Sequence, residues 1–177
     1  SESIGIEGRT AFYEGMGAMR DLVQSHLLQL LALATMEKPK TMEAAEIHRE
    51  KEKILAAIRP PEPERLKEET VRAQYRTYRE ETGIADSLTE TYAAVRLSID
   101  TPEWKGVPMF IRTGKALKEK VTEITVVFTE GGAESLTSAR ADAAGAEIKR
   151  NYLTLRIQPN EGIAVDLDIK KPGLDEA

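Results

Sequence analysis

The 177 residues contain no cysteine and only two histidines, His26 and His48. Disulfides and thiolate metal centres are thereby excluded, and no metal site is expected from so few imidazoles. Long apolar runs are missing as well. The longest, LLQLLALATM after His26, spans about ten residues and is interrupted by Gln29, well short of the roughly 20 that cross a bilayer. No basic leader precedes an apolar core at the start, so neither a membrane segment nor a signal peptide is expected, and a reducing, cytoplasmic setting fits. Net charge is −5 and the pI near 5.3, which leaves no global basic field for nucleic acid or anionic lipid; an anion must be held by a local cluster. Also absent are a GxGxxG fingerprint, a P-loop, a Gly-x-Ser-x-Gly elbow and paired histidine ligands.

What is present suffices for one sizeable domain, or a piece of one: 41% of the residues are hydrophobic. The chain starts SESIGIEGR and stops KKPGLDEA, both reading as mid-protein sequence, so a truncated polypeptide is expected. Gly5, Gly8, Gly15 and Gly17 argue for an extended start and a turn. A helix should begin near Thr10 or after Gly17 and be ended by Pro39. At roughly 100° per residue, Leu22, Leu30 and Leu33 fall within about 40° of His26, while Asp21 lies about 140° away. His26 thus projects from an apolar arc and Asp21 from a neighbouring polar one. A second helix, opened by Thr41, Glu43 and Glu46 and striped by Ile47, Ile54, Leu55 and Ile58, runs to Pro60.

PPEPE is a stiff break, and residues 64–81 are so charged that they read as a surface stretch of helix and loop contributing little core. Beyond Asp86 the period changes. LTETYAAVRLSID, VPMFIRTGK and EKVTEITVVFTE read as strands; 131–145 reads as a loop or short weak helix; NYLTLRIQP and GIAVDLDIK form two more strands around the turn PNEG. Helices followed by a mostly antiparallel sheet make an α+β order. The alternation of Val121, Ile124, Val126 and Phe128, and of Leu153, Leu155 and Ile157, suggests one face packed on the helices and a more polar other face.

Three groups stand out chemically. A histidine on an apolar helix is more often a satisfied core residue than a catalyst. Lys115 and Lys120, with Arg112 and Lys118 nearby, bracket the Gly-containing connection RTGKALKEK; such a loop can hold a phosphate, though a solvated hairpin is the commoner reading. Arg156 and Gln158 alternate onto one face at a strand end, where ordinary surface polarity is again commoner. His48, in a run of Glu and Lys, belongs to a solvated helix face.

At these same residues the sequence resembles a known family. GIEGRTAFYEGMGAMRDLVQSHLLQLLALATME is similar to the segment of glucose-6-phosphate dehydrogenases that carries the active-site histidine, and TETYAAV, the WKGVPMFIRTGKAL segment and RIQPNE follow in the family's order. The resemblance covers the C-terminal catalytic and dimerisation portion, residues 1–177. The family's N-terminal dinucleotide-binding domain and its Arg-Ile-Asp-His-Tyr-Leu-Gly-Lys substrate motif are not in this sequence.

The resemblance implies oxidation of glucose 6-phosphate to the 6-phosphogluconolactone in the oxidative pentose phosphate pathway. NADP would be bound mainly by the absent domain, and the sheet would build a homodimer or homotetramer. His26 would be the general base that removes the proton of the anomeric hydroxyl; a neutral imidazole, with its ordinary pKa of about 6.5, suits that step. Glu2 and Asp21 would hydrogen-bond sugar hydroxyls, and Lys115, Lys120 and Gln158 would contact the substrate. Some members hold a second, structural NADP beside the sheet. Arg112 and Arg156 keep the basic character of that site, while Val121, Thr125 and Asp166 stand where basic side chains are needed. The alternative function is a non-catalytic, sheet-forming assembly module that retains the catalytic-looking residues.

Overall fold

The helix expected to run to Met36 is built in three pieces in the computed structural model, which describes residues 2–128 and 151–167. Helix α1 (Thr10–Ala18) is kinked at Gly17, whose φ of +66° only glycine adopts without strain. A π-helix (Met19–Leu27) follows, and α2 (Leu28–Thr35) completes the run. In the π-helix each turn is closed five residues back, as when the Leu28 N–H donates to the Val23 carbonyl. At its far end, the Trp104 indole N–H donates to the Thr35 carbonyl at 2.8 Å, satisfying an acceptor that the ending helix cannot.

Helix α3 (Ala44–Ala57) packs on α2, with Ala32, Ile54 and Ile99 forming one buried cluster with Leu31, Met36, Leu55 and Trp104 around it. The chain then enters a four-stranded antiparallel sheet made of β1 (Ile58–Arg59), β2 (Thr70–Ala73), β3 (Tyr92–Ile99) and β4 (Met109–Gly114). Strand β3 pairs with the other three; Val95 lies opposite Thr70 on one side and Ile111 on the other. Its odd-numbered residues Ala93, Val95, Leu97 and Ile99 are buried, as a period of two requires. The first three of them pack with Ala18, Val23 and Ile111, so the helix run lies across β3 and β4.

Residues 64–81 correct the reading of a charged surface stretch with little core. They hold α4 (Leu66–Glu69), β2 and α5 (Tyr78–Thr82), and Tyr78 is fully buried beside Ile6, Tyr13 and the half-buried Tyr75. The charges sit on exposed faces while two tyrosines anchor the segment: Tyr75 meets Tyr78 edge-on at 5.4 Å, and Tyr13 lies 6.2 Å from Tyr78.

The chain divides into two compact units, Ser1–Lys120, which holds all of the above, and Val121–Ala177. In the second, β5 (Thr122–Val127), β6 (Tyr152–Gln158) and β7 (Gly162–Asp166) form an antiparallel meander. The strands therefore make two sheets. Register sets Ile124, Leu155 and Ile163 in one row and Val126, Leu153 and Val165 in the next. This is the expected apolar face, yet among the described residues of this unit no helix covers it, and Ile163 and Val165 are exposed. The expectation for 131–145 lies outside the described residues.

Candidate active site

The first residues are fastened to the end of β4. The Glu2 N–H donates to the Gly114 carbonyl, the Leu117 N–H to the Glu2 carbonyl and the Ala116 N–H to the Ile4 carbonyl, all at 2.8–2.9 Å. This sets the Glu2 carboxylate on the Lys115 ammonium, with which it forms an ion pair. Lys115 is not part of a solvated hairpin, as composition favours, but is buried: its N–H donates to the Thr91 carbonyl at 2.8 Å, and its ammonium lies 5.8 Å from the centre of the Tyr13 ring. A single ammonium on a basic segment is drawn inward because a carboxylate 113 positions away is brought to meet it.

Tyr13 is the centre of this arrangement. Its ring is buried, and among the described residues its hydroxyl has no hydrogen-bond partner. Burial pushes its phenol well above the ordinary tyrosine range, and the carboxylates of Asp21, Glu90 and Glu2 push it further. The three acids come from the π-helix, the segment just before β3 and the N-terminal segment. Tyr13 and Glu90 are the members that sequence reasoning misses, since an aromatic on a helix and a glutamate before a strand carry no local signal of a site.

Glu90 is a buried carboxylate with full occupation. One oxygen accepts the Met19 N–H at 3.1 Å, the other accepts from Arg72 at 2.9 Å, and its main-chain carbonyl accepts the Ala18 N–H at 2.9 Å. The start of the π-helix is thereby tied to the start of β3.

His26 is exposed, which overturns the core reading that periodicity favours. The buried side of the helix run is the neighbouring one, carrying Ala18, Val23, Ala32 and Thr35, while Leu33 on the histidine's own arc is exposed. The wide turn also corrects the expected separation of Asp21 from His26. Both lie within the π-helix, where residues five apart stack on successive turns, so the two side chains leave the same side instead of being about 140° apart. Between them the Ser25 hydroxyl donates to the Asp21 carbonyl, a local bond that competes with the α-helical pattern.

The remaining candidates are not brought to this cluster by any recorded contact. Lys120 is exposed at the end of the first unit, and Gln158 is exposed at the end of β6 in the second. Arg112 is exposed on β4 opposite Ala94. Arg156 is exposed and lies 3.9 Å from Glu123. Arg112 belongs to the first unit and Arg156 to the second, and among the described residues no glycine-rich turn leads from a strand into a helix. No group of three metal-ligating side chains is assembled among the described residues, and no helix there is long and apolar enough to cross a membrane.

The family described as "Glucose-6-phosphate dehydrogenase, C-terminal domain" matches residues 1–177. Glucose-6-phosphate 1-dehydrogenase of Gluconobacter oxydans is 45% identical over 98% of this chain and 36% of its own length. That of Chlamydia muridarum is 41% identical over 99% of this chain and 36% of its own. The chain thus spans about a third of the relatives it matches. Among solved structures, the Mycobacterium avium glucose-6-phosphate 1-dehydrogenase crystal structure superposes with a TM-score of 0.82 at 40% identity, covering 96% of this chain and 35% of that one. A glucose-6-phosphate dehydrogenase in complex with its substrate glucose-6-phosphate gives 0.82 at 35% identity, over 98% and 35%. With a match from end to end and a shared fold of helices followed by antiparallel sheets, the chain belongs to the glucose-6-phosphate dehydrogenase C-terminal domain family.

Proposed function

We propose that this chain is the C-terminal part of an NADP-dependent glucose-6-phosphate 1-dehydrogenase, with His26 as its general base. The reading is supported by the placing of His26 and Asp21 five residues apart in one π-helix, and by the buried Lys115 paired with Glu2 in the same unit. His26 takes the proton of the hydroxyl on C1 as that carbon is oxidised. Its exposure leaves the ring free to reach a substrate, and no side chain among the described residues hydrogen-bonds it. Asp21 and Glu2 accept hydrogen bonds from sugar hydroxyls. Lys115 holds the Glu2 carboxylate at the site, and Lys120 and Gln158 add contacts from the ends of their units. NADP is held outside the described residues, so the 177 residues alone turn over no substrate. Cytoplasmic location and self-association through the sheet belong to the same reading.

The test is a chimaera in which these 177 residues replace the matching stretch of the Gluconobacter oxydans relative. His26→Asn should lower its glucose-6-phosphate oxidation by about 10²–10⁴-fold, the usual worth of a general base, without changing folding. Unchanged turnover would leave the chain as an assembly module and end the catalytic reading.

A further inference from the structure

A nine-residue π-helix is an unusual state, because π geometry mostly occurs as single turns within an α-helix, often at functional sites. Something must keep it from sliding into the α pattern. At its first residue the fixing contact comes from Glu90, which lies 71 positions from Met19 and accepts that residue's N–H. The same glutamate holds Ala18 by its main-chain carbonyl and lies so close to Gly17 that a Cβ there would be 2.6 Å from a carboxylate oxygen. Three consecutive residues are thus set by one side chain and its backbone. The contact is inside the protein: the Glu90 side chain is 11% exposed, whereas its partner Arg72 is 63% exposed, so the ion pair adds little and the N–H cap does the holding.

We propose that Glu90 is a positioning residue, which caps the π-helix at Met19 and thereby keeps Asp21 and His26 facing the same way. The proposal rests on the reading of His26 as the base. Without the carboxylate, the part-buried Met19 N–H lacks a partner next to the kink at Gly17, and nothing holds the first turn against the α pattern, in which turns close four residues back. That slide turns Asp21 away from His26, returning the pair to the roughly 140° separation of an α-helix. The sugar-binding carboxylate and the base are then misaligned relative to each other.

The experiment uses the same chimaera, with folded fraction measured by circular dichroism. Glu90→Ala is expected to lower kcat about 10- to 100-fold and to raise KM for glucose 6-phosphate several-fold in protein that remains folded, as misplacement of catalytic groups does. Glu90→Gln keeps an oxygen for the Met19 N–H and should restore both constants to within about twofold. Arg72→Ala removes only the exposed ion pair and should leave both unchanged. The proposal is overturned if Glu90→Ala leaves both constants unchanged, or if kcat falls only with the folded fraction at constant KM, as a purely structural role requires. His26→Asn separates the two levels. If it keeps turnover, the base reading fails and the proposal falls with it; if it loses turnover while Glu90→Ala does not, the proposal alone is overturned.

Discussion

The Lys115 side chain is 2% exposed and its ammonium is paired with the carboxylate of Glu2, whose side chain is 29% exposed. The two partners are unequal, and their removal should be unequal too. Glu2→Gln strands a buried ammonium and should cost about 3 kcal/mol, within the range for breaking a buried pair. Lys115→Met leaves a carboxylate that water already reaches and should cost about 1 kcal/mol. Urea unfolding of the two variants measures this, and equal losses would contradict the geometry.

Alkaline pH should unfold the protein through its tyrosine cluster. Burial, reinforced by the hydrogen bond to Glu81, pushes Tyr75 up to about 12, while Tyr13 and Tyr78 are raised further, first by burial and then by neighbouring carboxylates. The folded chain keeps protons that the unfolded chain releases near pH 10. The associated stability is therefore complete below pH 10 and is lost as pH rises towards 12 and beyond, each buried phenol steepening the fall by up to about 1.4 kcal/mol per pH unit. Tyrosinate absorbance from the cluster should appear together with loss of the circular dichroism signal. Full ionisation of all five tyrosines near pH 10 in a folded chain would refute the prediction.

Gly8 and Gly17 both have positive φ, but only one is crowded. A Cβ at Gly8 meets nothing within 4 Å, so Gly8→Ala carries backbone strain alone, about 1 kcal/mol. Gly17→Ala adds the collision with Glu90 and should cost about 3 kcal/mol. Thermal unfolding of the pair tests this, and similar midpoints would rule out the close approach.

Trp104 is the single tryptophan of the chain, and its indole N–H is committed to the Thr35 carbonyl. Trp104→Phe keeps an aromatic ring but orphans that carbonyl, at a cost of about 1 kcal/mol or somewhat more. Denaturant titration followed by circular dichroism would show it, and an undiminished midpoint would mean that water replaces the indole freely.

Five of the strands were legible because their side chains alternate on a pleated surface, as Ala93, Val95, Leu97 and Ile99 do. Strand β2 and helix α5 were not, since Arg and Glu dominate 64–81 and the decisive residues are two tyrosines whose burial depends on Ile6 and Tyr13 far away in the chain. At the site, the residue types of His26, Asp21 and Glu2 were readable as candidates. Their mutual facing was not, because projecting a sequence at 100° per residue assumes the α-helical turn that this segment abandons. Lys115 looked solvated for a similar reason: nothing local to it announces a carboxylate arriving from the other end of the first unit.

The π-helix leaves a trace in the spacing of the core. Ala18 and Val23, five residues apart, are both buried, and Met19, Leu27, Leu28 and Leu31 pack against the same cluster. Deleting Gln24 should convert the wide turn to an α-helical one and leave Asp21 and His26 four residues apart, about 40° around the helix, so turnover in the chimaera should fall far less than the roughly 10²-fold or more expected of His26→Asn. Two backbone solutions thus put the same two side chains on one side: five residues apart in a π turn, or four apart in an α turn.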